Sequence, residues 1–148
     1  MVQTLGGALT IRLVEGMKGA VRLPVVVGDT TLGPYFPVTV ESHSRCSVVH
    51  FPKALAMFTY DESFDTADPE FVGEKGRAVL RRVQSSSFRT FAGLRTNIAN
   101  LHAEGFQEFL IWTEDQVFKV LSTSEPEVAI TDGAPDLGIE RGRTWSAS

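Results

Sequence analysis

A chain of 148 residues is the size of one domain and can bury a single core without disulfide or metal staples. With 43% apolar residues, 22% charged residues and a mean hydropathy of zero, it is neither a disordered polymer nor a membrane bundle. A net charge of −4 argues against general attraction to phosphate backbones, and the single Cys46 makes no intrachain disulfide, which fits a reducing cytoplasm.

The N-terminal stretch lacks a basic lead followed by a continuous apolar run, so neither a signal peptide nor a membrane span is expected. Leu9, Ile11 and Leu13 alternate with Thr10 and Arg12, the period of a strand with one buried face. Val21, Leu23 and residues 25–27 follow Gly16 and Gly19, and are expected to pair antiparallel with that strand. Pro24 interrupts the second run and donates nothing to a ladder, so it belongs at an edge or a bulge.

Gly28 and Asp29 turn the chain, and residues 32–37, with Gly33, Pro34 and Pro37, read as a rigid loop. Phe36, Val38 and Val40 alternate as a third strand would. Two short apolar runs, residues 47–51 and 54–60, flank Pro52, and residues 55–60 read as an interior strand.

Between residues 61 and 74 the carboxylates Asp61, Glu62, Asp65, Asp68, Glu70 and Glu74 are interleaved with Phe64, Phe71 and Val72, which suits a short amphipathic helix or an ordered loop. The sign then reverses through Lys75, Arg77, Arg81, Arg82, Arg89 and Arg95. Val79, Leu80 and Val83 fit helix or strand equally, and residues 85–87 or Thr90 can cap a helix beginning there.

The strongest pattern lies between residues 90 and 121. Phe91, Leu94, Ile98 and Leu101 fall on one helical stripe, predicting a helix from Thr90 to Glu104 that Gly105 ends. Two apolar runs, residues 106–112 and 117–121, are separated by the polar Thr113, Glu114, Asp115 and Gln116 and read as a β-hairpin. Val128 and Ile130 suggest a last strand. The polar, Gly-rich stretch from 132 to 148 reads as a tail, with Trp145 as the residue that could dock it on its own domain or on a neighbouring subunit.

Few residues suggest chemistry. His43, Cys46 and His50 have zinc-ligand character, but no second ligand pair accompanies them, and a buried cysteine beside ordinary histidines explains the pattern as well. Cys46 and His50 as nucleophile and base would lie about 13 Å apart on an extended strand, too far for a hydrogen bond. The acidic run lacks the spacing of a calcium loop, and the arginines can bind phosphate or simply balance it. No phosphate-binding loop, dinucleotide fingerprint, zinc-protease motif or nucleophile elbow occurs.

From Val48 onward the order of features resembles the N-terminal domain of the SseB family of small bacterial proteins. The resemblance covers about half the chain and rests on Ala56-Met57-Phe58-Thr59, the polar-aromatic stretch from Asp61 to Phe64, the helical stripe from Phe91 to Leu101, Gly105 and the closing hairpin. That family lacks a defined catalytic centre, so the resemblance implies a non-catalytic α+β module and carries over no site residues.

The sequence therefore predicts a single α+β domain over residues 1–131 with a tail over 132–148. Its mainly antiparallel sheet of about five to seven strands carries one principal helix packed on one face, with room for a second short helix between Ser63 and Val83. The functional expectation leans away from an enzyme: a bacterial, cytoplasmic protein-interaction module of adaptor, effector-associated or immunity type. It would need no cofactor or metal, would bind neither nucleic acid nor membrane, and homo-oligomerisation stays open. Its contacts are expected at Asp61, Glu62, Phe64, Asp65 and Phe71 and at a sheet edge near Pro24. The alternative is a small-ligand-binding enzyme with a pocket between helix and sheet near Cys46 and His50.

Overall fold

The computed structural model describes residues 2–76 and 78–133. The expected α+β class is overturned: among the described residues the structure is mostly β, with 49% in strands, 12% helical, several sheets and one real helix. Where the sequence suggests loops and a second helix, strands appear instead.

In chain order, β1 (Val2–Leu5), β2 (Ala8–Val14), β3 (Met17–Lys18), β4 (Leu23–Val27), β5 (Thr30–Tyr35) and β6 (Val38–Thr39) come first. β7 (Cys46–Phe51) and β8 (Ala54–Asp61) follow, then a 3-10 turn, Glu62–Phe64, and β9 (Val72–Gly73) and β10 (Leu80–Ser85). The helices α1 (Ser87–Arg95) and α2 (Ile98–Leu101) precede β11 (Gln107–Trp112), β12 (Gln116–Ser122) and β13 (Glu127–Thr131). Four strands order as β1-β2-β7-β13, five as β8-β12-β11-β10-β9, and β3-β6 and β4-β5 form two-stranded sheets.

The chain divides into two compact units. One holds residues 2, 11–49 and 128–133 of those described, the other residues 3–10 and 50–127.

In the first unit Ile11, Cys46 and Val49 are buried. The expected pairing of the 9–13 and 21–27 runs does not occur: β4 pairs with β5, and the run read as a rigid loop is that second strand. Val27 stands opposite Thr30, leaving Gly28 and Asp29 as a two-residue connection. Gly28 has φ +59°, so the first central position takes the positive φ that a tight hairpin of this hand requires. The register shifts between Leu23 and Val25, a bulge where Pro24 withholds a donor. Arg45 forks onto Glu15 through Nε at 3.1 Å and Nη2 at 2.8 Å, holding the Glu15 carboxyl down at about 2.

The second unit is built on the five-stranded sheet, antiparallel throughout. The expected hairpin is β11 and β12, running in register from Gln107 opposite Ser122 to Trp112 opposite Val117. Thr113 closes it, its Oγ accepting the Gln116 backbone N–H at 2.9 Å. Four successive residues, Glu108 to Ile111, are buried, so β11 is covered on both faces, with Phe51 and Phe109 rings 5.5 Å apart on one of them. β8, expected inside the sheet, is its edge strand.

The predicted helix is shorter and differently turned. Thr96 leaves the helical conformation at φ −131° and gives its hydroxyl to the Ala92 carbonyl, so the continuous helix expected from Thr90 to Glu104 breaks into α1 and α2. Gly105 does take a positive φ, +105°. By then α2 has already ended at Leu101 with His102 as its cap, so the glycine closes the turn that follows and not the helix. The apolar stripe fails as a core face: Phe91, Leu94 and Leu101 are 59%, 77% and 70% exposed, while Ala92 is buried. A polar tether sets the rotation instead. Ser86 caps α1 by accepting the Arg89 N–H at 3.0 Å and donates at 2.6 Å to Glu108 on β11, which turns Phe88, Arg89 and Ala92 inward.

Candidate functional site

Residues directly opposite one another in an antiparallel sheet point to the same face. Phe58, Lys119, Leu110 and Arg81 are successive partners across β8, β12, β11 and β10, and Tyr60, Val117 and Trp112 form the next row. These two rows are apolar except for the cations and the Tyr60 hydroxyl, and Glu108 follows on the same face two residues before Leu110. Phe58, Phe88 and Tyr60 cluster on it, with ring centroids 5.8 Å apart for Phe58 and Phe88 and 5.3 Å for Phe58 and Tyr60.

Residues 64–69 and the start of α1 flank part of this face, leaving two adjoining grooves that share Tyr60, Asp65, Thr66, Asp68 and Lys119. The wider, of about 440 Å³, is completed by Phe58, Phe64, Ala67, Pro69, Ser87 and Phe88. The narrower, of about 230 Å³, is completed by Phe71, Arg81, Leu110 and Trp112.

Short polar contacts fix the wall of acidic residues. Asp61 caps the 3-10 turn by accepting the Ser63 N–H at 2.9 Å, and the Asp65 N–H closes it on the Glu62 carbonyl at 2.9 Å. The Tyr60 hydroxyl then donates to Asp65 Oδ1 at 2.6 Å. Asp68 accepts the Ser87 hydroxyl at 2.6 Å and the Ser87 and Glu70 N–H groups at 3.0 Å each. Its Oδ2 lies 3.8 Å from Lys119 Nζ, with both side chains only 12% exposed. Glu70 accepts from the Thr90 hydroxyl, a second tie between this segment and α1.

These contacts shift the titrating groups in opposite directions. Burial pushes the Asp68 carboxyl up, but the Ser87 and Glu70 hydrogen bonds and the Lys119 charge outweigh it and leave the group below its ordinary range. Burial raises Tyr60 well above the usual phenol value, and the carboxylates of Asp65 and Asp68 raise it further. At neutral pH the wall therefore presents a neutral phenol and ionised Asp68.

Of the residues expected at a partner-binding patch, Phe64 and Asp65 line the wider groove, and Asp65 and Phe71 the narrower. Asp61 and Glu62 line neither. The first is spent on its cap, where the Ser63 bonds hold its carboxyl below the ordinary range. Residues that sequence pattern does not single out complete the site: Phe58, Tyr60, Asp68, Phe88, Trp112 and Lys119. Lys119 has a legible signal, since it falls between Val117 and Leu121 at strand period, a cation placed on a buried face.

A groove between helix and sheet does exist, but Cys46 and His50 line neither of the two described. Cys46 is buried and His50 Nδ1 lies 2.9 Å from the Thr10 hydroxyl. His43 is exposed, 3.5 Å from Glu41. Among the described residues no three His, Cys, Asp or Glu side chains are grouped as a metal site requires, and no helix is long and apolar enough to cross a membrane. The arginines disperse: Arg82 pairs with Glu125 at 2.9 Å, Arg89 stacks 4.6 Å over Phe106, and Arg77 lies outside the described residues. No protein-family model, curated protein or solved structure matches the chain.

Proposed function

We propose that the chain is a non-enzymatic protein-interaction module whose wider groove docks an apolar, basic segment of a partner protein. One observation carries this reading: Phe64, 75% exposed, and the half-exposed Phe58 stand beside the Asp65 carboxylate around a groove of about 440 Å³. Aromatic rings that keep most of their surface in water bury it profitably only against another molecule. Of the charged residues lining that groove, Asp65 and Asp68 are acidic and Lys119 is basic, so the complement is a cation. The polar groups hold one another in place, as Tyr60 does Asp65 and Ser87 does Asp68, which suits a preformed docking surface.

The order strand, polar-aromatic turn, helix, glycine and hairpin is present in the second unit. It is the order on which the resemblance to the SseB N-terminal domain rests, with β9 and β10 standing between the turn and α1. A bacterial interaction module acting in a reducing cytoplasm remains the reading we propose. The enzyme alternative at Cys46 and His50 has less support, because neither residue lines these grooves.

The test is site-specific photo-crosslinking in the cells of origin. A benzophenone amino acid replacing Phe64 should capture one polypeptide, identifiable by mass spectrometry and reproduced with that purified partner. Capture should vanish when Phe58→Ala and Asp65→Asn are added. Equal capture from position 91 on α1, or capture that survives both substitutions, would remove the groove from consideration.

A further inference from the structure

Arg81, which lines the narrower groove, has a donor with no acceptor. Arg81 Nε is shut off from solvent and has no hydrogen-bond partner among the described residues. An N–H buried in this way bears the full desolvation of its group with nothing in return, so it marks a position where an acceptor belongs. The groove offers carboxylates, yet both are engaged: Asp65 by the Tyr60 hydroxyl, and Asp68 by Ser87, Glu70 and Lys119. Lys119 and Asp68 offset each other, which leaves the Arg81 guanidinium as the cation of this groove without a described counter-ion.

We propose that Arg81 anchors a carboxylate in the narrower groove, delivered by an apolar ligand or by an acidic side chain of a partner protein. The anchoring goes beyond the docking surface proposed above and stands without it. Three features select the class. A guanidinium matches a carboxylate through parallel N–H donors. A volume of about 230 Å³ admits a side chain or a small organic acid, below the roughly 300 Å³ at which drug-sized ligand sites begin. The walls are Phe71, Leu110, Trp112 and Tyr60, which favour an apolar body behind the charged head. Charge then favours carboxylate over phosphate: Asp65 and Asp68 balance Lys119 and Arg81 in this groove before binding, so a monoanion adds one uncompensated charge and a dianion two.

The site carries its own reporters. In a Trp145→Phe background Trp112 is the only tryptophan, and the Nε–H resonance of Arg81 reads the donor itself. The full chain is titrated with sodium phenylacetate, with inorganic phosphate, and with the peptides acetyl-Gly-Leu-Glu-Leu-Gly-amide and its Gln counterpart. Phenylacetate or the Glu peptide should shift both signals saturably. Arg81→Gln should weaken that binding roughly tenfold to a hundredfold, the loss of one charge-assisted contact, and Arg81→Lys should not restore it because it lacks the fork. Thermal melting checks that each variant is folded.

A response to free phenylacetate assigns the site to a small acid, and a response confined to the Glu peptide assigns the carboxylate to a protein partner. Equal response to the Glu and Gln peptides, a phosphate response as strong as the carboxylate response, or full binding by Arg81→Lys would each overturn the proposal. So would silence of both signals to all four probes, which would leave a hydrated arginine. Phe64→Ala removes the proposed docking contact and should leave the Arg81 response intact, so the two readings fail separately.

Discussion

Ser86 Oγ donates to Glu108 Oε2 at 2.6 Å while accepting the Arg89 backbone N–H at 3.0 Å, so one hydroxyl both caps α1 and fastens it to β11. Glu108 has no exposed surface, and its other carboxylate oxygen has no hydrogen-bond partner among the described residues. The orientation of the helix, and through Phe88 and Ser87 one side of the wider groove, hangs on this contact.

The same contact carries a strain that can be removed. Burial raises the Glu108 carboxyl above its ordinary value, against the opposing pull of Ser86, Lys119 and Arg89 and with a small upward push from Asp68. For an acid raised on folding, the native state holds the proton more tightly, so stability is intact below the unfolded pKa and declines as pH rises through the folded one. Glu108→Gln keeps an oxygen for the Ser86 hydroxyl and has no charge to bury. It should therefore raise neutral-pH stability by roughly 1–2 kcal/mol, with the gain shrinking as pH drops below the ordinary carboxylate range. Denaturant melts at several pH values check this. A loss of stability at neutral pH that fades in acid would show that the ionised carboxylate, through Arg89 and Lys119, is the favoured form.

Asp68 predicts the opposite slope. Its carboxyl lies below the ordinary range: burial opposes this, but the Ser87 and Glu70 bonds and Lys119 prevail. Its contribution is present above the unfolded carboxylate pKa and fades as pH falls through the lower folded value. Asp68→Asn should cost about 1–3 kcal/mol at pH 7, because it leaves Lys119, 12% exposed, without its counter-ion. The wild type should lose this advantage in acid, so the two melting curves converge there. Parallel curves would place the loss in packing and not in charge.

Tyr60 gives an optical check on the same wall. Burial comes first among the causes that raise its phenol, followed by its hydrogen bond to Asp65. The chain has two tyrosines, so an alkaline absorbance titration should contain one ionisation delayed well above the usual phenol range. That delayed component should disappear in Tyr60→Phe. If the titration of the variant simply loses an ordinary phenol, the Tyr60 to Asp65 bond does not persist in solution.

How much is legible in the sequence depends on whether one face or two compete for each segment. The hairpin of β11 and β12 is clear, because both of its faces are buried and its apolar runs are bounded by turn residues such as Thr113. Gly105 and Pro24 announce their backbone roles through chemistry that no tertiary contact overrides. The region from residue 61 to 85 is opaque, since Val79, Leu80 and Val83 satisfy two periods equally and only pairing with β11 decides for strand. Phe64, Asp65 and Phe71 stand out because acidic and aromatic residues alternate there. Arg81 is legible as one of a basic run that can bind phosphate, and Lys119 as a cation at strand period between Val117 and Leu121. That the two share one row, however, depends on the register of four strands, which local pattern does not encode.

The helix stripe is the clearest pattern and the least faithful guide to the core, and this difference is measurable. Ile111 has no exposed surface, whereas Leu94 is 77% exposed on the outer side of α1. Truncating a buried isoleucine removes transfer energy and leaves a cavity, so Ile111→Ala should cost about 2–5 kcal/mol. Leu94→Ala removes little buried surface and replaces one good helix former by a better one, so its stability should stay within about 0.5 kcal/mol of the wild type. Urea denaturation of both variants checks the pair. A cost above ~2 kcal/mol for Leu94→Ala would mean that the stripe is covered in solution. In that event α1 would be turned inward as its periodicity suggests, and the Ser86 to Glu108 tether would not be what orients it.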